Sequence, residues 1–155
     1  MQRKIMVVTA AYGHDAVRSA GGQAAMLPII AAAGADGVEI RREMFTSAEL
    51  QALPALASAI QSSGLQACYS APEALFMADG SLNPQLPALL QEAATLRALW
   101  LKVSLGHFHH TESFNTLRDW LASSGMKLVV ENDQTACGRL PPMQRFNAAC
   151  HMQKL

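Results

Sequence analysis

Five short apolar runs, spaced about one βα unit apart with helical stretches between them, predict an α/β fold with a parallel sheet. The runs are Ile5 to Val8, Gly37 to Ile40, Gln66 to Tyr69, Leu99 to Val103 and Leu128 to Val130. They read as continuous rather than alternating, the pattern of strands covered on both faces, as parallel strands are. The expected chain is therefore one domain, residues 1–155, of five successive β-strand/α-helix units.

The helical signals follow in chain order. Met26, Ile29, Ile30 and Ala33 form the apolar side of a first helix closed by Gly34, and Pro28 limits how early it can begin. Thr46 and Glu49 make a capping box ahead of Leu50, Leu53, Ala57 and Ile60, with Gly64 closing the segment and Pro54 bending it. Asn83-Pro84 reads as an N-cap and first helical residue before the stripe Leu86, Leu89, Leu90, Ala93 and Leu96. Phe114, Leu117, Trp120 and Leu121 mark a fourth helix ended by Gly125. A last one runs from Pro141-Pro142 through Met143, Phe146, Ala149 and Cys150 to the terminus.

Half of the 155 residues are hydrophobic, enough for one real core. Twelve basic residues balance twelve acidic ones, so no broad field draws in nucleic acid or anionic lipid, and neither is expected as a partner. The apolar stretch after Met1-Gln2-Arg3-Lys4 is too short for a secretory signal, and no segment approaches the roughly 20 apolar residues that span a bilayer. Three widely spaced cysteines, Cys68, Cys137 and Cys150, argue for free thiols in a reducing compartment. A cytoplasmic protein is expected. The chain ends at Gln153-Lys154-Leu155, after a helix and where a sixth strand should begin. An eight-unit barrel needs about 250 residues, so the fold class expected is a TIM-barrel type truncated to about five of eight units.

Parallel α/β folds collect functional groups where strands end and loops begin. Those positions hold Tyr12, His14 and Asp15 after the first strand, and Glu39, Arg41 and Arg42 at the second. Ser70 and Glu73 follow the third; Lys102, Ser104, His107, His109 and His110 the fourth; Glu131, Asn132, Asp133 and Gln134 the fifth. Such one-sided polarity favours a site. The sharpest local signal is Val129-Val130-Glu131-Asn132-Asp133-Gln134-Thr135, which carries a carboxylate straight out of an apolar strand. Burying that charge is expensive unless it meets a cation or strong hydrogen bonds; a neighbouring lysine or arginine would satisfy it as well as a metal.

Gly34-Ala35-Asp36-Gly37-Val38-Glu39-Ile40-Arg41-Arg42-Glu43 resembles the second strand, and Val130-Glu131-Asn132-Asp133-Gln134-Thr135 the fifth, of the xylose-isomerase-like TIM barrels. These are sugar phosphate isomerases and epimerases; the narrower similarity is to epimerases of 2-ketogluconate utilisation. The resemblance implies a small sugar or sugar phosphate as substrate and proton transfer next to its carbonyl through an enediolate. It also implies a divalent metal, Mn²⁺ or Mg²⁺ and in some members Zn²⁺ or Co²⁺, as Lewis acid. The family's fifth-strand glutamate is metal ligand and acid/base participant and maps onto Glu131. Tyr12, His14, Glu39, Arg41, His107 and Gln134 would then line the substrate pocket. The family's remaining ligands lie on strands six to eight, so the alternative expectation is that this chain alone holds no metal.

Two other classes of function stay open: a catalytically inactive truncated fragment of such an enzyme, and an open α/β domain binding a small ligand. Self-association through exposed strand edges is expected instead for an active isomerase or epimerase, whose barrel it would help to close. Each candidate also has a bland alternative: a solvated loop for His107, His109 and His110, an ordinary polar loop for Tyr12 and His14, and simple charge pairing for Glu39 and Arg41. Cys137 with Cys150-His151 lacks the paired spacing of a zinc site.

Overall fold

The computed structural model describes residues 3–153 and 155. Met1 and Gln2 of the basic start, and Lys154 near the end, lie outside the described residues. Five strands, β1 (Met6–Val8), β2 (Gly37–Arg41), β3 (Gln66–Phe76), β4 (Leu101–Gly106) and β5 (Leu128–Glu131), form one parallel sheet in the order β1-β2-β3-β4-β5. Seven helices connect or follow them: α1 (His14–Ser19), α2 (Gln23–Ala32), α3 (Ser47–Gln51), α4 (Leu53–Ser62), α5 (Leu86–Thr95), α6 (Phe114–Ser124) and α7 (Leu140–Gln153).

Strand order that follows chain order has a consequence for the faces. Right-handed crossovers, nearly universal in βαβ units, place every connecting helix on the same side of such a sheet. Burial agrees: in β4, Leu101, Val103 and Leu105 are fully buried while Lys102, Ser104 and Gly106 are half-buried. Val38 and Ile40 of β2 are likewise buried and Glu39 and Arg41 half-buried. The expectation of strands covered on both faces is thus corrected for β2 and β4, while β3 meets it, with residues 67–71 all buried. Helices cover one face, and the other is the concave side of an open arc. A doubly wound open sheet would reverse its strand order at a switch point, and this sheet has no reversal.

The core lies between the sheet and the helices, where Leu27, Ile30, Ile40, Leu75, Leu86, Leu89, Leu90, Leu101 and Leu117 are essentially inaccessible. Thr46 and Glu49 form the expected capping box on α3. The bend expected at Pro54 is a full break at Ala52, with Pro54 in the first turn of α4, because proline lacks the N–H needed to continue α3 but suits a helix start. Gly125 ends α6 in the left-handed region, at φ 65°, as its position suggests.

Two proline expectations need correction. Pro28 sits inside α2, which begins five residues earlier at Gln23. Burial of Met26, Leu27 and Ile30 outweighs the one hydrogen bond that the ring removes. Asn83 does not start α5; its carboxamide oxygen accepts from the Gln85 N–H at 2.9 Å while its amide donates to the Ala74 carbonyl at 2.9 Å. Asn83 thereby ties the approach of α5 to β3, and the helix begins at Leu86 with Pro87 in its first turn.

The third strand is far longer than Gln66 to Tyr69, because its partner extends with it. Ser70 pairs with Lys102, the register then shifts, and Ala74 and Phe76 pair with Ser104 and Gly106. Beyond the shift, Phe76 of β3 packs with Phe108 of the loop after β4 and Phe146 of α7, and both of these pack in turn with Phe114 of α6. This aromatic cluster anchors the loop that carries the histidines. Gly106 is required where β4 leaves it: φ is 69°, and a Cβ would strike the Phe76 carbonyl oxygen.

Candidate active site

Alternation in the strands sets the site. Register places Glu39 beside Cys68 in one row of the concave face, Arg41, Ser70, Lys102 and Val129 in the next, and Ala74, Ser104 and Glu131 in a third. From the middle row the Lys102 ammonium reaches across rows. It donates to Glu39 Oε1 at 2.9 Å and pairs with Glu131 Oε2 at 3.0 Å. One cation therefore links carboxylates from β2 and β5. Burial alone would release the Lys102 proton, but bonding to Glu39 and Glu131 outweighs it and raises the pKa.

Arg41 continues the chain of charge, bonding Glu43 at 2.7 Å and Glu39 at 3.4 Å. Its backbone is held by a buried amide: Gln23 of α2 accepts from the Arg41 N–H at 2.8 Å and donates to the Arg41 carbonyl at 2.9 Å, while Thr9 donates to Gln23 at 2.7 Å. These bonds satisfy backbone groups that leave the ladder at the end of β2. The Ser70 hydroxyl, 1% exposed and in the same row as Arg41 and Lys102, has no hydrogen-bond partner. A buried hydroxyl left unpaired is costly, and this one shares its row with two cations.

A second network runs through α5. Arg42 bonds Glu73 at 2.8 Å and Glu92 through two nitrogens at 2.8 and 3.1 Å, and the Tyr69 hydroxyl donates to Glu92 at 2.6 Å. Burial would raise the Glu92 pKa, but the bonds from Arg42 and Tyr69 win and lower it. A carboxylate with a depressed folded pKa stabilises the fold above its unfolded value, here 4.5, and that contribution is lost as pH falls through the folded pKa. Replacing Arg42 by Met is expected to cost about 2 kcal/mol at neutral pH, between an exposed pair and a buried one. Urea denaturation at neutral and acidic pH checks this. Below pH 4.5 the gap between parent and variant should narrow; a gap independent of pH would contradict it.

The other expected site residues fall elsewhere. His14 lines a separate cleft of about 640 Å³, with Arg18, Glu43, Phe45 and Glu49, between α1 and the start of α3. The cleft does not include Glu131; it touches the ion chain through Glu43. Tyr12 packs against the core at the end of a 3-10 turn. His107 is exposed at the loop edge, with its Nδ1 3.6 Å from Cys137 Sγ. Gln134 lies exposed in the loop after β5, whose turn is shaped by Asp133 accepting from the Thr135 N–H at 2.8 Å. Cys68, on the concave face, is buried, and burial together with the Glu39 charge pushes its thiol up to about 11.

Glu92 and Tyr69 lie outside the groups the sequence points to, and Lys102 and Ser70 stand there only as strand-end residues without an assigned role. Lys102 had a usable signal, since Leu101-Lys102-Val103-Ser104-Leu105 alternates strictly and assigns the lysine to the face opposite the leucines. Glu92 had none: its partner Arg42 is 50 residues away.

For the metal implied by the resemblance, the donor set is decisive. Among the described residues no group of three or more His, Cys, Asp or Glu side chains could hold an ion. A hard divalent cation wants about six oxygen or nitrogen donors, and Glu131 already shares its carboxylate with Lys102. The residues of this chain do not fit the metal.

The concave face of this strand arrangement has counterparts among solved structures. D-psicose 3-epimerase in the presence of D-fructose matches with a TM-score of 0.60 at 14% identity, over 83% of this chain and 52% of that one. D-psicose 3-epimerase from Clostridium cellulolyticum H10 with D-tagatose matches with a TM-score of 0.56 at 12% identity, over the same shares. The fold is that of part of a TIM barrel, a parallel five-stranded sheet with flanking helices. This chain spans about half the length of those proteins. No family model and no curated protein sequence matches it. Among the described residues no helix is long and apolar enough to cross a membrane.

Proposed function

We propose that the chain forms the substrate-binding half of a sugar isomerase or epimerase site, with Glu131 as the carboxylate that moves the proton. The observation that carries this is the ion chain Glu39–Lys102–Glu131 across the concave face, with the unpartnered Ser70 hydroxyl beside it. Glu131 would take the proton from the carbon next to the sugar carbonyl. The C–H electron pair becomes the new carbon–carbon double bond, and the carbonyl pair moves onto oxygen. The Lys102 ammonium and Ser70 hydroxyl would meet that developing oxyanion, the type of electrostatic support that dominates many active sites. Delivery of a proton to the same carbon from the opposite face, by a second acid while Glu131 keeps the first proton, gives an epimer; return of the first proton to the former carbonyl carbon, with a hydroxyl proton passing between the two oxygens, gives an isomer.

Glu39, Glu43, Glu73, Glu92 and Glu131 outnumber Arg41, Arg42 and Lys102 around the strand ends, and each of these cations is bound to a carboxylate. That balance favours an uncharged ketose over a sugar phosphate, or over the acidic sugars suggested by the similarity to 2-ketogluconate epimerases. Supporting partners follow from the fold: β1 and β5 leave sheet edges unpaired among the described residues, and self-association through them is part of the proposal, as is a cytoplasmic setting. The contrary reading is a chain that keeps the fold without catalysis.

Incubation with D-fructose, D-tagatose or D-psicose in D₂O separates the two. Deuterium appearing at the carbon next to the carbonyl, followed by proton NMR, is the expected result. No exchange above the protein-free rate for any of the three would leave the non-catalytic reading standing.

A further inference from the structure

We infer that Lys102 is the built-in cation of the strand-end site, its ammonium filling the place between Glu39 and Glu131 that a metal ion would need to bridge β2 and β5. The geometry is specific. The ammonium lies 2.9 Å from one carboxylate and 3.0 Å from the other, and both it and Glu39 are mostly withdrawn from solvent, at 17% and 18% exposure. An ion bridging the same oxygens would stand at contact distance from a fixed positive charge. Arg41 also leans on Glu39, so this carboxylate is held from both sides.

The lysine is placed for this role by its strand. Lys102 is the only charged residue of β4, inward-facing between Leu101 and Val103, and its row neighbour on β3 is the small Ser70. A four-carbon stem can therefore extend from β4 toward β2. A tethered ammonium is also a different device from a bound metal: its charge is always loaded, its strength does not depend on cation supply, and it offers N–H donors to a ligand oxygen. The inference stands on the ion-pair geometry and not on sugar turnover, so the exchange experiment above can fail without touching it.

Calorimetric titration of the full chain with Mn²⁺ tests it. The parent should show no binding tighter than millimolar. Lys102→Met should bind at least about tenfold more tightly, a difference calorimetry resolves, and the double variant Lys102→Met with Glu131→Gln should return to the parent value. Micromolar binding by the parent that weakens in Glu131→Gln would overturn the inference, as would a folded Lys102→Met that gains nothing. Should Lys102→Met fail to fold by circular dichroism, the parent still decides: Mn²⁺ should not selectively broaden backbone amide signals of β2 and β5, and selective broadening there would refute it.

Discussion

Glu131→Gln is expected to lower deuterium exchange into a ketose by about 10²- to 10⁴-fold, the usual worth of a positioned acid/base group. The substitution keeps the shape of the side chain and an oxygen that can accept from Lys102, so the strand end should stay ordered. What it removes is the basic carboxylate. Glu131 is the last residue of β5 and its side chain is 37% exposed, open enough to be reached from the concave side. The variant should retain the parent's melting temperature to within a few degrees. Loss of exchange with loss of folding would show only a structural part for Glu131, and unchanged exchange would remove it from the chemistry.

The second large effect lies in the aromatic cluster. Phe76→Ala is expected to destabilise the chain by about 3–5 kcal/mol, the range for truncating a buried phenylalanine. Phe76 is fully buried, with ring centroids 5.3 Å from Phe108 and 6.0 Å from Phe146. Its removal opens a void that the extended end of β3 cannot close, since that segment is pinned by the Asn83 bond to Ala74 and by the pairing with Gly106. Against a typical total stability of about 5–15 kcal/mol this is a large share. Urea denaturation measures it, with Leu99→Ala at a partly exposed position as a control expected near zero. A loss below about 1 kcal/mol for Phe76→Ala would mean the cluster relaxes freely, contrary to the packing described.

Much of the fold was legible because local and global signals agree in these segments. The capping box at Thr46 and Glu49, the Leu86 to Ala93 stripe and the glycine ending α6 depend on neighbours within one or two turns, so spacing alone reveals them. The long β3 was not legible, because Ala74, Leu75 and Phe76 join the sheet only through pairing with β4, after a register shift that sits around Pro72. The single-sided cover was not legible either. A strand that curves around a closed or open arc can carry apolar residues inward, and Met6, Val8 and Val129 do so beside the charged residues.

The site was half visible. Glu39, Arg41 and Glu131 meet on one face because the period of a strand fixes their side, and the sequence contains that period. Their shared partner Lys102 stands in the sequence only as one strand-end group among several, because a lone lysine in a strand resembles an exposed residue until the register places it between two carboxylates. His14, His107 and Gln134 share the same sheet end but point into loops and a separate cleft, since position after a strand fixes the edge and not the direction of a loop side chain.

The most direct measurement of the central claim is an amide ¹H–¹⁵N NMR titration of the whole chain with an uncharged ketose such as D-tagatose. Shifts are expected at Arg41, Ser70, Lys102, Ser104 and Glu131, the concave rows around the ion chain. Shifts confined to the cleft of His14, Glu43 and Glu49, or none at all, would contradict a sugar site on that face.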